Sequence, residues 1–133
     1  MLNSGKNPRV HLRGLVGSSD AFLAVALYFL QHKHLIFVLP DQEEAGYFQA
    51  DLESLLDKEI MNFPSSYRKG FDFTQPDSSH VLARAEVLNE LNHTSEFGNL
   101  IVTYPEALAE KVIDRNSLEK NTLEISVQNK LSI

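Results

Sequence analysis

An α/β fold, a parallel sheet with helices on both faces, is predicted by three features of the sequence. Leu35–Leu39 and Leu100–Thr103 are short apolar runs of the kind that form parallel strands buried on both sides. Stretches with helical spacing of apolar residues separate the strand-like runs. A glycine-bracketed turn, Gly14-Leu15-Val16-Gly17-Ser18-Ser19-Asp20-Ala21, leads into the apolar run Ala21–Leu30 and then a strand. Nucleotide-binding α/β units open in that order.

Residues 1–8 are polar and contain glycine and proline, which predicts a flexible lead-in. Val10-His11-Leu12 alternates and is expected as a short strand feeding the turn. Ser18 or Ser19 can cap the helix expected to begin near Asp20. That helix is apolar nearly all round, as in a helix enclosed by a sheet and its neighbours.

Leu35–Leu39 then ends at Pro40, and Asp41 with Glu44 forms an Asp-x-x-Glu start signal for the next helix. In that helix Ala45, Phe48, Leu52 and Leu55 fall on one face. Ile60–Phe63 is expected as a strand stopped by Pro64. Residues 64–76 show no period, and so long a loop inside a compact domain is often functional.

Asp77, Ser78 or Ser79 can cap a third helix carrying the apolar residues Val81, Leu82, Ala85, Leu88 and Leu91. Gly98-Asn99 leads into the Leu100–Thr103 strand. Pro105 suits the first position of a short helix reaching Val112. In the tail, Leu123, Ile125 and Val127 alternate with polar residues, which predicts a half-buried strand outside the preceding rhythm.

A chain of 133 residues suits one domain with a real core. Apolar content of 43% and charged content of 23% are ordinary for a globular domain. A net charge of −6 argues against the whole chain serving as a nucleic-acid-binding module, which normally carries a basic face. The absence of cysteine removes disulfides, thiolate nucleophiles and cysteine-bound zinc. The apolar run after Arg13 lacks a signal-peptide cleavage pattern and is shorter than the ~20 residues that span a bilayer. A cytoplasmic location with no membrane contact is expected.

The turn lacks what phosphate binding needs. A Walker A loop, G-x-x-x-x-G-K-[ST], cradles phosphates with its amides, reaches the β/γ oxygens with its lysine and holds Mg²⁺ with its hydroxyl. Laid on Gly14–Ala21, the second glycine falls on Ser19, the lysine on Asp20 and the hydroxyl on Ala21; Gly17 and Ser18 lie between. Two unit charges ~4 Å apart near a protein surface interact by about 4 kcal/mol. A carboxylate in place of the lysine therefore weakens anion binding on the order of a thousandfold or more. Asp20 instead suits the positive end of its own helix. The loop reads as a degenerate P-loop with no bound cofactor.

Other candidates have plainer explanations. His32 and His34 form a His-x-His pair without a third ligand cluster, and a solvated turn accounts for them. Ser18 and Ser19 lack a nucleophile elbow and a base. Asp41, Glu43 and Glu44 suit a helix dipole better than acid–base chemistry. Tyr67, Arg68, Lys69, Phe71 and Phe73 form a basic-aromatic cluster compatible with a nucleic-acid or partner loop. Packing of these aromatics on the sheet edge is the competing reading. No catalytic residue and no metal ligand is assigned.

Several short passages, in their order and spacing, resemble the N-terminal region of the bacterial transcription-repair coupling factors. They are Gly14–Ser18, Leu39-Pro40-Asp41 with Ala45, Phe63-Pro64, Arg84–Leu88, Ile101–Leu108 and Asn121–Val127. The resemblance spans roughly residues 10–131, and no one motif in it is specific alone. It implies a three-layer RecA-like half-domain over residues 9–116, similar to the excinuclease subunit UvrB but without ATPase function. Residues 117–133 would be a linker and the first strand of a following domain.

The implied role is non-catalytic: presenting the docking region for UvrA and masking it against the parent protein until stalled RNA polymerase is engaged. The ATP- and Mg-dependent DNA translocase and the polymerase-binding module of that family lie downstream, so RNA polymerase and double-stranded DNA would be reached only through them. Ser65-Ser66-Tyr67-Arg68 departs from the acidic-aromatic run that many members carry after Phe63-Pro64. Two alternatives remain beside this reading. One is a working nucleotide binder that uses Gly14, Gly17 and the helix N-terminus. The other is a small standalone α/β enzyme.

Overall fold

Three parallel strands form the sheet of the computed structural model, which describes residues 9–67, 76–92, 98–112 and 117. The elements run α1 (Ser19–Gln31), β1 (Leu35–Val38), α2 (Gln42–Leu56), β2 (Met61–Phe63), α3 (Ser78–Glu90), β3 (Leu100–Thr103) and α4 (Pro105–Ala109). The strand order is β1-β3-β2, with β3 paired in parallel to both neighbours. In register, Leu35 faces Leu100 and Met61 faces Ile101. The chain is an α/β protein built on a small parallel sheet.

Side-chain alternation assigns the two faces. Phe37 of β1 meets Phe48 of α2 with ring centroids 5.2 Å apart, and Asn62 of β2 donates to Gln49 of α2 at 2.8 Å. That face carries α2, with α1 packed beside it. Phe63, Ile101 and Thr103 point the other way, towards Val87 and Leu88 of α3 and Leu108 of α4. The core runs through both layers, from Ala24 and Leu52 through Val102 to Val87 and Ala107. Lys58, just past the end of α2, donates to the Tyr28 hydroxyl at 2.8 Å and lies 4.2 Å from that ring's centre, closing α1 onto α2.

Local signals predict most boundaries. Asp41 caps α2 by accepting from the amides of Glu43 and Glu44 at 2.9 and 3.0 Å. Asp77 caps α3 through the Ser79 amide at 2.9 Å. Pro105 opens α4, whose helix stops at Ala109 and does not reach Val112.

Other expectations are corrected. Val10-His11-Leu12 forms no strand; two apolar residues flanked by Arg9, His11 and Arg13 bury too little to hold a place in the sheet, and Val10 and Leu12 stay exposed. Ser18 takes the N-cap position of α1 but its side chain makes no capping bond, while Ser19 lies inside the helix and its hydroxyl accepts from the Val16 amide at 2.7 Å. α1 is buried on one side only, through Ala21, Ala24 and Tyr28, with Phe22, Phe29 and Leu30 in solvent. Leu55 is exposed and Leu56 turns inward instead. In α3, Val81 and Leu82 are exposed, whereas Arg84 and Val87 are buried. The strand expected at Leu123–Val127 lies outside the described residues.

Candidate functional site

All three strands run in one direction, so their carboxyl ends share one edge of the sheet. In open α/β sheets ligands gather there, where connections from adjacent strands leave towards opposite faces. β1 leads to α2 on one face and β3 to α4 on the other. The crevice therefore falls between Pro40-Asp41 and Tyr104-Pro105. The start of α1 reaches the same edge, because Asp20 borders a pocket of about 190 Å³ together with Leu39 and Phe48. The Gly14–Ala21 loop thus stands where a ligand site would be sought.

Its geometry is tight. Gly14 and Gly17 adopt φ of 79° and 59°, left-handed values that glycine takes without strain. The helix amides behind them are engaged from within. Ser19 N–H points to the Val16 carbonyl at 3.4 Å, Ala21 N–H to Asp20 Oδ1 at 2.8 Å, and Phe22 N–H to the Ser18 carbonyl at 3.2 Å. An anion at a helix N-terminus needs such groups free and a positive field. Here the chain's own carboxylate takes one of them.

A second cluster on this edge was not expected from the sequence. Glu110 accepts from the Ser65 hydroxyl at 2.5 Å and from the Ser66 amide at 3.0 Å. Tyr104 Oη accepts from the Ser65 amide at 2.8 Å, and His80 Nδ1 lies 2.7 Å from the Ser65 carbonyl, which fixes that nitrogen as a donor. Arg84 Nη1 donates to the carbonyls of Pro64 and Ala107 at 2.8 and 3.0 Å, sits 3.7 Å from Glu110 Oε2, and its guanidinium carbon lies 4.2 Å from the centre of the Phe63 ring.

Burial works to raise the Glu110 pKa, but the hydrogen bonds from Ser65 and Ser66 and the charge of Arg84 outweigh it, so the carboxyl sits below its ordinary range. Burial pushes the Tyr104 phenol up, with the Ser65 amide opposing.

The cluster holds a serine, a histidine and a glutamate, yet not in a nucleophilic arrangement. The Ser65 hydroxyl is committed to a carboxylate, and the His80 nitrogen near it faces a carbonyl. Nucleophilic catalysis requires the hydroxyl on the imidazole. The cluster instead clamps the chain leaving β2 to α3, β3 and α4. Its only sequence signal was an arginine next to the inward positions of an amphipathic helix.

The remaining candidates disperse. His32 ends α1 in a left-handed conformation at φ 48°, and His34 Nδ1 accepts from the Asn99 amide at 3.2 Å. Among the described residues no three metal-binding side chains come together. Tyr67 is half-buried beside the clamp, its amide 3.3 Å from the Ser65 hydroxyl. Arg68, Lys69, Phe71 and Phe73 lie outside the described residues. No described helix is long and apolar enough to cross a membrane. Comparison with protein-family profiles, curated proteins and solved structures finds no match.

Proposed function

We propose that this chain is a non-catalytic module of a transcription-repair coupling factor, with a RecA-like core that has given up nucleotide. Its role is contact: with UvrA, through this region and the domain that follows, and with the rest of the parent protein, which masks that docking region until stalled RNA polymerase is engaged. The motif order from Gly14 to Val127 supports the parentage. One observation carries the non-catalytic part: Asp20 accepts the Ala21 amide at the start of α1, where a P-loop would present that amide to phosphate.

Titration calorimetry with Mg-ATP is the test. No heat of binding is expected up to millimolar nucleotide. Saturable micromolar binding would overturn the reading in favour of a working nucleotide binder.

A further inference from the structure

The outer edge of β2 is closed at both ends and open at its centre. Before the strand, Glu53 accepts from the Ile60 amide at 3.2 Å and Gln49 donates to the Ile60 carbonyl at 3.1 Å. Beyond it, Arg84 takes the Pro64 carbonyl at 2.8 Å, and proline has no N–H. Such contacts shield an edge from further pairing. Asn62 lies between them. Leu35 and Leu39 donate to Asn99 and Thr103, so the intervening residues of β3, Leu100 and Val102, turn their backbone to β2. The register there engages Met61 and Phe63 and leaves the N–H and C=O of Asn62 pointing outward. Neither group has a partner among the described residues.

That opening lies in a groove of about 530 Å³ bordered by β2, α2 and α3. The lining includes the carboxylates of Glu59, Glu86 and Glu90 and no lysine, arginine or histidine. None of the three carboxylates has an ion-pair partner among the described residues. Asn62 Oδ1 is buried without a donor, because Asn62 Nδ2 donates to Gln49 Oε1 while Gln49 Nε2 is engaged by Glu53 and the Ile60 carbonyl. The groove is short of both positive charge and donors, and a basic occupant complements it.

We propose that this groove takes an extended basic segment of a partner protein, one residue of which pairs antiparallel with Asn62. Two facing residues of a hydrogen-bonded pair exchange both backbone bonds, so Asn62 alone suffices as the anchor. The paired residue's side chain then falls on the α2 face with that of Asn62, and its two neighbours fall on the α3 face. α3 carries the chain back from β2 to the start of the parallel β3, so it runs alongside the strands. Glu86 and Glu90, one turn apart on it, stand about 5–6 Å apart, close to the roughly 6.6 Å between the two neighbours of a strand residue. A lysine or arginine at each neighbouring position meets one carboxylate. The recognised pattern is basic-any-basic in an extended chain, a strand addition in which charge selects the side chains. The groove is separate from the glycine-bracketed loop, and its occupancy does not depend on the parentage proposed above.

The experiment is a titration of the isotope-labelled chain with the peptide acetyl-Gly-Arg-Thr-Arg-Gly-amide, followed by amide chemical shifts. Saturable shifts are expected at Asn62 and along residues 83–90, with exchange of the Asn62 N–H slowed. The same peptide N-methylated at threonine keeps its charge and loses the N–H that the Asn62 carbonyl accepts. It is expected to bind about tenfold more weakly. Glu86→Gln with Glu90→Gln is expected to stay folded by circular dichroism and to weaken binding about five- to tenfold, because two exposed ion pairs are lost.

The N-methylated peptide separates a strand bridge from the general attraction of a basic peptide to an acidic chain. Equal binding by the two peptides overturns the proposal. So does the absence of saturable shifts, a pattern of shifts that spares Asn62, or unchanged affinity in the double glutamine variant.

Discussion

Asp20 Oδ1 accepts the backbone N–H of Ala21 at 2.8 Å, so the first turn of α1 is closed by a carboxylate from its own sequence. Replacing Asp20 with lysine frees that amide and reverses the local charge. The Asp20→Lys protein should bind pyrophosphate or triphosphate about tenfold or more tightly than wild type, given the affinity change that accompanies a reversed charge near a helix N-terminus. Calorimetry with both proteins at low salt checks this. Equal, negligible heats would show that the loop's shape, and not its charge, excludes anions.

Arg84 should be the most costly single side chain to remove. It is 6% exposed, and truncation to methionine leaves two carbonyls and the Glu110 carboxylate without their cation. Leaving a buried acceptor without its donor costs about 1–3 kcal/mol for each group. Urea unfolding of Arg84→Met should show that loss, with Arg84→Lys in between because an ammonium keeps the charge but loses the guanidinium plane against the Phe63 ring. A loss comparable to an exposed substitution would mean the clamp contributes little.

The difference between Arg84 and Asp41 shows what the sequence could convey. Asp41 caps amides two and three positions on, so its role is written locally, and the same holds for Asp77 and for Pro105 at the start of α4. The continuity of Leu35–Leu39 and Leu100–Thr103 marked the strands because burial on both faces leaves no place for polar residues. Arg84 has partners 20 and 23 positions away, which no local period encodes. Glu110 and Ser65 were missed for the same reason, 45 positions apart. Val10-His11-Leu12 misled because alternation over three residues carries little information. The apolarity of α1 was legible, but not that one of its faces would meet solvent.

Acid should loosen the clamp. The folded-state pKa of Glu110 lies below its ordinary 4.5: burial raises it, and the bonds from Ser65 and Ser66 with the Arg84 charge lower it further than burial raises it. A depressed folded pKa stabilises the fold above the unfolded value, and the contribution disappears as pH falls through the folded one. Stability should therefore be steady near neutrality and fall below about pH 4.5. Glu110→Gln should start less stable at pH 7 and show a shallower decline through that window. Urea midpoints from pH 7 to pH 3 for both proteins provide the check; parallel curves would remove Glu110 from the acid response.

Two glycines with positive φ should respond very differently to alanine. Gly17, at φ 59°, has open space where a Cβ would go, so Gly17→Ala should cost only the left-handed penalty of about 1–2 kcal/mol. Gly98, at φ 72°, would place a Cβ 2.2 Å from the Lys33 carbonyl carbon and 2.6 Å from the His34 amide nitrogen. Those are backbone atoms and cannot rotate aside. The close approach seats the start of β1 on the start of β3, where Leu35 N–H meets the Asn99 carbonyl at 2.9 Å and the Asn99 amide meets His34 Nδ1. Gly98→Ala must therefore part the two strands at their first rung, adding overpacking of about 1–3 kcal/mol to the same conformational penalty. Urea midpoints of the two variants should separate accordingly. Equal midpoints would mean that the turn before β3 can move without disturbing the sheet, and the pairing of β1 with β3 would then have to be held by Leu35–Val38 alone.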